Sequence, residues 1–216
     1  MSAIVNQALS MTFEEALPFL LEKTGVPADV WQALEGNARA RSFTIAGAES
    51  QAFVDDVLEA LQKALKEGTS LGDFTKQFGD LVKRYGWQHT GKVGNRARII
   101  YQTNLSMAHS AGRYAQMTTP EALLAFPVWQ YVHSGAKHPR LDHKSWDGLC
   151  LSAKDPVWQT IWPPNGWGCG CWVRPMTLRE MRATGRTEAD KAPETSGREE
   201  PDFNFNAAAA WLEGAP

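Results

Sequence analysis

The sequence predicts an α+β fold, in which a mostly helical N-terminal half over residues 1 to 120 precedes a small β-rich and loop-rich module. Apolar residues recur at helical spacing in the first half, whereas aromatic and β-favouring residues dominate after residue 120. All three cysteines and six of the nine tryptophans fall between residues 129 and 172. We therefore expect a distinct aromatic and Cys/His module over residues 121 to 182, followed by a flexible loop and C-terminal tail over residues 183 to 216.

The bulk composition is that of an ordinary globular protein. Hydrophobic residues fill 43% of the 216 positions and charged residues 21%, which allows a buried core and argues against a disordered chain. A net charge of -2 gives no overall attraction to nucleic acid, so direct nucleic-acid binding is disfavoured. The sequence shows no secretory signal pattern and no run approaching the roughly 18 apolar residues of a membrane-spanning helix. We therefore expect that the protein does not insert into a membrane and that the chain starts in a cytoplasm.

The first 36 residues predict a helical hairpin. Thr12 and Glu15 form an S/T-x-x-E pattern, in which a hydroxyl and a carboxylate satisfy the first free amides of a helix. Pro27 then marks the start of a second short helix, for which Gly36 is the expected stop.

Two amphipathic helices are expected next, with a shared core. The first lies between residues 48 and 67 and ends at Gly68, while Ser70 caps a second that ends at Gly86. Their apolar stripes are Phe53, Val57, Leu58, Leu61 and Leu65 in the first helix and Leu71, Phe74, Phe78, Leu81, Val82 and Tyr85 in the second.

The remaining segments predict a helix, a strand, a loop and a C-terminal tail. A third helix is expected over residues 95 to 117, and the string FPVWQYVHS predicts a strand at about residues 127 to 133. Residues 183 to 201 are charged and turn-rich, which indicates a mobile loop, and the final FNFNAAAAWLEG is expected to dock on the body or on a partner. The third helix should bury one face formed by Ile99, Ile100, Thr103, Met107, Ala111 and Tyr114.

Histidines and cysteines form a dense set between His133 and Cys171. Zinc prefers sulfur and imidazole ligands in a tetrahedron, and a structural zinc would staple a loop-rich module that buries little apolar surface. Cys169 and Cys171 can supply two thiolates from a tight turn, in which Gly170 relieves the backbone, and His143 is the preferred third ligand.

The fourth ligand stays open on these residues alone. His138, Cys150, His133 and Asp147 can each complete the set, and a water molecule in that position would make the site catalytic. The spacing differs from the C-x2-C and H-x3-H pairs of common zinc sites. An equally simple interpretation is that the cysteines are small buried residues and the histidines form hydrogen bonds at the surface.

A stiff aromatic loop is expected over residues 155 to 173. Pro163 and Pro164 rigidify a turn that Asn165 and Gly166 bend, and several tryptophans surround it. These tryptophans are interpreted as a local core, as a docking surface, or as both, since tryptophan is enriched at interface hot spots.

Several motifs carry a family resemblance. Arg140, His143, Asp147 and Gly148 form R-x-x-H-x-x-x-D-G, followed by D-P-x-W and then P-P-N-G-W-x-C-x-C. With the upstream segments SFTIAGAES, FTKQFGDLVKRYGW and RARIIYQTNLSMAHSAGR, the chain resembles the phage Mu protein F-like family of minor head proteins over nearly its whole length. The family commonly has C-R-C where this chain has Gly170 between its cysteines.

The resemblance implies a minor capsid component that acts near the portal during prohead assembly, and that is made in the host cytoplasm and carried in the phage head. The implied partners are portal, major capsid or scaffold proteins, and no enzymatic activity is expected. Related head proteins carry a C-x-x-C where this chain has Arg140 to His143. That comparison supports His143 as a ligand and leaves His138 to substitute for a missing one, so the expected metal ligands are His143, Cys169, Cys171 and His138.

A metal-dependent hydrolase, either a nuclease or a peptidase, is the alternative function. His143 and the cysteines would then hold zinc while Asp147 or His133 acts as general base. The spacing differs from catalytic motifs such as H-E-x-x-H. An open coordination position in a cleft would favour catalysis, and a closed, buried site would favour a structural role.

Overall fold

The computed structural model describes residues 16–195 and 203–213. Helices dominate this part of the chain, and the strands are few and short. The predicted α+β fold class is confirmed. The helix cap expected at Thr12 and Glu15 lies outside the described residues.

The segment before residue 44 alternates short helices with very short strands. Strands β1 and β2 pair in parallel, with Thr24 opposite Ser42. The second helix starts after Pro27 as expected, but β1 lies between it and the first helix, and Gly36 begins a further helix instead of ending one. The elements are α1 (Ala16–Leu21), β1 (Thr24–Gly25), α2 (Ala28–Gln32), α3 (Gly36–Ala40) and β2 (Ser42–Phe43).

Gly25 lies close to the long helix that follows β2. A Cβ atom at this position would lie 2.1 Å from Asp55 Oδ1 and 3.2 Å from Val54 Cγ1, so a larger residue here would have to displace the Asp55 side chain. Gln51 fixes the contact, because its side-chain amide donates to the Gly25 carbonyl at 2.7 Å.

Four helices follow, and the first two have the expected caps. The Ser50 hydroxyl accepts from the Phe53 amide and the Ser70 hydroxyl from the Asp73 amide, and left-handed glycines end both helices. No helix within the described ranges is long and apolar enough to cross a membrane. The helices are α4 (Gln51–Glu67), α5 (Leu71–Tyr85), α6 (Val93–Met117) and α7 (Pro120–Ala125).

Helix α6 is the centre of the helical half, since α1, α4 and α5 all pack against it. The expected apolar face is only partly correct, because Ile99 is 37% exposed while Ala97, Tyr101 and Leu105 are buried. A helix that is covered on several sides buries residues from more than one stripe, so a single-face pattern underestimates its contacts.

A three-stranded antiparallel sheet forms the second half, and the predicted strand at residues 127 to 133 is its central strand. Gln130 of this strand lies opposite Cys150 on one side and Arg174 on the other. The elements are β3 (Val128–Val132), α8 (Leu141–Ser145), β4 (Cys150–Ser152), α9 (Trp158–Ile161), β5 (Trp172–Met176), α10 (Leu178–Ala183) and, at the end of the described chain, α11 (Ala207–Glu213).

The two faces of this sheet bury different clusters. Trp129 and Tyr131 join the main apolar core that also contains the helices. Val128, which points to the opposite face, packs in a small separate cluster with Cys150, Met176 and Met181. Alternation along β3 therefore separates Cys150 from the core face of the sheet.

Aromatic rings join the sheet to helix α6. Tyr114 packs edge-on against Trp162 at 4.8 Å, and Trp162 packs on Trp129 at 5.3 Å between ring centroids. The Trp162 indole also donates to Ser110 Oγ at 2.7 Å. The tryptophan-rich loop therefore contributes to a core continuous with the helices, and the division of the sequence at residues 120 and 182 stays a prediction.

Part of the segment expected to be mobile forms hydrogen bonds beside strand β4. The Arg186 guanidinium donates to Asp190 at 3.1 Å and to the Gly148 carbonyl at 3.0 Å. Asp190 in turn accepts a hydrogen bond from the Cys150 amide at 2.8 Å. Residues 186 to 190 therefore contact the sheet region, the mobility expected for residues 183 to 201 stays a prediction, and residues 196 to 201 lie outside the described ranges.

The C-terminal helix α11 docks on the body, one of the two outcomes expected for it. Trp211 packs edge-on against Phe19 at 5.6 Å and donates from its indole nitrogen to Glu22 at 2.7 Å. The Asn206 side chain accepts from the Ala208 and Ala209 amides, which caps the helix start.

A buried lysine lies where α1, α3 and β2 meet. Lys23 is only 7% exposed, and its ammonium donates to the carbonyls of Ala40 at 2.5 Å and Ser42 at 3.3 Å. The ammonium also lies 4.4 Å above the Phe19 ring. Burial lowers the pKa of Lys23 to about 7, because the charged form loses its hydration.

We predict that Lys23→Met removes a pH dependence from the free energy of unfolding. Between pH 7 and 10 the unfolded lysine binds a proton that the folded one releases, so the wild-type protein gains stability as the pH rises. The difference between wild type and variant should change by up to about 1.4 kcal/mol per pH unit. Urea titrations at several pH values measure it, with the exposed Lys66→Met as control, and a constant difference would contradict the prediction.

Candidate metal centre

Three of the predicted ligands meet in one buried group. The Nδ1 atom of His143 lies 3.7 Å from the Cys169 sulfur and 3.9 Å from the Cys171 sulfur. All three atoms lie within 4.8 Å of one another. The exposed fractions of the residues are 3%, 7% and 9% in that order, so the group is closed off from bulk solvent.

These distances fit a tetrahedral zinc ion. With zinc–sulfur bonds of about 2.3 Å and a zinc–nitrogen bond near 2.0 Å, tetrahedral geometry requires a sulfur–nitrogen separation of about 3.5 Å. The two separations in the protein are close to that value. Two thiolates and one imidazole are also ligands that zinc prefers.

The His143 ring is oriented by its neighbours. Helix α8 carries the residue, and its Nε2 atom lies 3.2 Å from the backbone carbonyl of Asn165, which can only accept a hydrogen bond. Nε2 therefore carries the proton, and the lone pair of Nδ1 faces the two sulfurs. The ring also stacks on Trp146 at 5.7 Å. A histidine that binds a metal usually donates from its other nitrogen to a carbonyl or carboxylate in this way.

The two cysteines flank a tight passage of the chain. The Cys169 amide donates to the Gly166 carbonyl at 3.1 Å, which closes a turn in which Gly168 adopts a φ of +67°. Gly170, by contrast, is not among the glycines with positive φ. A Cβ atom at Gly170 would lie 3.2 Å from the Ser134 Cβ, so this glycine permits a close approach and does not relieve a left-handed backbone.

The pKa values of the two thiols are shifted in opposite directions. The hydrogen bond from Cys169 lowers the pKa of Cys171, and a hydrogen bond from Tyr131 acts in the same direction. The same contact with Cys171 raises the pKa of Cys169, and burial adds to the rise. One sulfur of the pair is therefore predisposed to be a thiolate, which is the form that binds metal.

Tyr131 and Asn165 support this group from beneath. The Asn165 side-chain amide donates to the Tyr131 hydroxyl at 3.2 Å and to the Ile161 carbonyl at 2.8 Å. Burial, and then the neighbouring cysteines, raise the pKa of Tyr131. The sequence presents Asn165 as an ordinary turn residue in PPNG, so neither supporting role was predicted.

The fourth predicted ligand is not part of the group. His138 lies exposed in the loop between β3 and α8, and within residues 16–195 and 203–213 no further histidine, cysteine or acidic residue joins the three. Cys150 is excluded by its position on the opposite face of the sheet, where its sulfur lies 3.9 Å from the sulfur of Met176.

Asp147 and His133 are hydrogen-bonded elsewhere. The Asp147 carboxylate accepts from the His133 amide at 2.9 Å, and the His133 ring accepts from the Gly135 amide at 3.1 Å. Arg140 donates to the Trp167 carbonyl at 3.1 Å, which ties α8 to the cysteine-bearing turn. Within the R-x-x-H-x-x-x-D-G motif, only His143 belongs to the group. Arg140 and Asp147 instead form hydrogen bonds to the backbone of neighbouring loops.

Comparisons with known proteins identify relatives of this arrangement. Residues 55–174 match the family model described as phage Mu protein F like protein, a range that extends from α4 to β5 and includes the whole three-residue group. The chain is 32% identical over 165 residues to the Mu-like prophage FluMu F protein of Haemophilus influenzae. It is 31% identical over 169 residues to a protein of Escherichia phage Mu named "Putative capsid assembly protein F".

These matches cover unequal shares of the proteins compared. Each includes 72% of this chain, but only 39% of the Haemophilus influenzae protein and 38% of the phage Mu protein. The chain therefore matches about two fifths of the length of these relatives. No solved structure matches the chain significantly.

We predict that Asn165→Ala destabilises the protein by about 1–3 kcal/mol, because it leaves the buried Tyr131 hydroxyl and Ile161 carbonyl without their donor. Chemical denaturation of both proteins measures the loss. Gln159→Ala is the matched control, since that exposed side chain makes a single hydrogen bond to the Tyr114 hydroxyl. Equal stabilities of the wild type and Asn165→Ala would refute the supporting role.

Proposed function

The chain belongs to the phage Mu protein F-like family, and we propose that it acts in assembly of the head of a tailed bacteriophage. The observation that carries this proposal is the family match over residues 55–174, together with a relative whose name is that of a capsid assembly protein. The matched range includes the motif residues that position the Cys/His group, so the likeness extends to the interior of the module.

The finer proposal concerns place and partners. We propose a minor component that acts near the portal during prohead formation in the host cytoplasm and remains in the virion. Its partners are portal, major capsid or scaffold proteins. A partly exposed tryptophan, Trp167, at 45% exposure, offers a surface of the kind that protein interfaces use.

We further propose that His143, Cys169 and Cys171 hold a structural zinc ion. The separations of their ligand atoms, the tautomer of His143 and the favoured thiolate of Cys171 all support this ligand set. A bound ion would cross-link α8 to the turn before β5. Three protein ligands leave one position of the tetrahedron for another group or for water.

The burial of the group favours a structural role over catalysis. A catalytic zinc needs a coordination position that substrate can reach, whereas all three residues here are nearly inaccessible. The two candidate general bases, Asp147 and His133, each accept a hydrogen bond from a backbone amide. The metal-dependent nuclease or peptidase stays an alternative that direct assays of the metal-loaded protein would test.

We predict about one zinc ion per chain in untagged wild-type protein, measured by elemental analysis. The Cys169→Ser, Cys171→Ser double variant should contain none. If the ion contributes at least about 3 kcal/mol, the thermal midpoint should fall by roughly 6–12 °C. Cys150→Ser and His138→Ala are controls that should keep the metal, because neither residue belongs to the group. Metal-free wild-type protein would refute the zinc site.

We predict that the phage encoding this chain forms no DNA-filled heads when the gene carries an early stop codon. Electron microscopy of induced lysates should show tails with aberrant or empty heads, and a plasmid copy of the gene should restore plaque titres. Mass spectrometry of purified virions would identify the chain, and cross-linking would show whether it contacts the portal. A normal yield of infectious particles without the protein would contradict the proposed role.

A further inference from the structure

Tyr131 is a fully buried residue that strand β3 holds in one place. Its backbone amide donates to the Leu149 carbonyl, and its own carbonyl accepts from the Gly148 amide, both at 2.9 Å. Its ring packs edge-on against Trp146 at 5.5 Å, and Trp146 in turn stacks on His143. A residue that is fixed at its backbone and at its ring presents its hydroxyl at one defined point.

Asn165 determines in which direction this hydroxyl donates. The Asn165 side-chain nitrogen lies 2.8 Å from the Ile161 carbonyl, which can only accept a hydrogen bond, so the nitrogen donates one of its two hydrogens there. The second hydrogen is available to the Tyr131 oxygen, which lies 3.2 Å away. The Tyr131 oxygen is therefore the acceptor in that contact, and its own proton is left for another partner.

That partner is the sulfur of Cys171, which accepts a hydrogen bond from the Tyr131 hydroxyl. The backbone amide of Ser134 donates to the same sulfur. Both thiols lose their protons when they bind a metal, so the hydrogen bond between Cys169 and Cys171 would disappear in the loaded site. The hydrogen bonds from Tyr131 and Ser134 do not depend on a cysteine proton, and they would remain.

A hydrogen bond to a metal-bound thiolate has two physical effects. It holds the sulfur in the orientation in which its lone pair faces the metal, which reduces the cost of ordering the ligands. It also withdraws electron density from the sulfur, which raises the energy needed to move an electron from sulfur to metal. Loss of such an outer hydrogen bond typically weakens metal affinity by about 10–100-fold.

We propose that Tyr131 is a positioning residue of the metal centre, which orients the Cys171 sulfur through its hydroxyl and thereby sets the affinity for zinc. The inference rests on the zinc site proposed above and adds to it a residue that is not a ligand. Asn165 acts one step further out, because its side chain orients Tyr131 while its backbone carbonyl lies 3.2 Å from His143 Nε2.

The zinc affinity of Tyr131→Phe in the 216-residue chain, measured by competition with a chromophoric chelator, tests the proposal. The change removes the hydroxyl and keeps the ring, so zinc should bind at least about tenfold more weakly than to the wild type. The matched control is Tyr101→Phe, since Tyr101 is equally buried and its hydroxyl donates to the Thr69 carbonyl at 2.7 Å. This control should keep the wild-type zinc affinity.

Cobalt in place of zinc supplies a measurement that a purely structural role would not change. Cobalt–thiolate sites absorb light by transfer of an electron from sulfur to the metal. Loss of the hydrogen bond raises the energy of the sulfur electrons, so this band should move to longer wavelength in Tyr131→Phe and stay in place in Tyr101→Phe. Site-specific 3-fluorotyrosine at position 131 keeps the hydroxyl and makes it a stronger donor, so it should move the band to shorter wavelength.

The possible outcomes separate this inference from the zinc site itself. Wild-type protein that binds neither zinc nor cobalt would refute both. Unchanged affinity and an unmoved cobalt band in Tyr131→Phe would overturn the role of Tyr131 and leave the zinc site standing. Weaker binding with an unmoved band, or equal weakening in Tyr101→Phe, would assign the hydroxyl to fold stability alone. If Tyr131→Phe does not fold, an unmoved band in the fluorotyrosine protein decides against the proposal.

Discussion

The packing of Tyr114 from helix α6 against Trp162, and of Trp162 against Trp129, is the contact on which the second half of the structure depends. It fixes the central strand β3 against the helices, and β3 determines where the loops on its two sides lie. Helix α8 follows that strand, and the cysteine-bearing turn precedes its neighbour β5. The Cys/His group forms where these two loops meet.

Helices α4 and α5 were predictable because their signals are local. Ser50 and Gly68 mark the ends of α4, and the apolar spacing between them requires no knowledge of the rest of the fold. Strands β1 and β2 were not predictable, since two residues give no periodicity. Their pairing joins Thr24 to Ser42 and Gly25 to Phe43, which are 18 residues apart in the sequence.

The candidate site was only partly predictable for the same reason. His143, Cys169 and Cys171 were identified by their chemistry, and the structure brings them together. Whether His138 or Cys150 joins them depends on loop and sheet geometry. In the observed register Cys150 lies opposite Gln130, and both are on the face away from Tyr131. Spacing in the sequence does not encode that register.

The contact between Asp190 and Cys150 also protects the outer edge of the sheet. Cys150 donates its amide to the Asp190 side chain and accepts the Asp190 amide at its own carbonyl. Both backbone groups that a foreign strand would need at this position are therefore occupied, and a charged arginine lies beside them. Unpaired edge strands promote aggregation between molecules, so a polar segment with little apolar surface keeps neighbouring copies of the sheet from joining here.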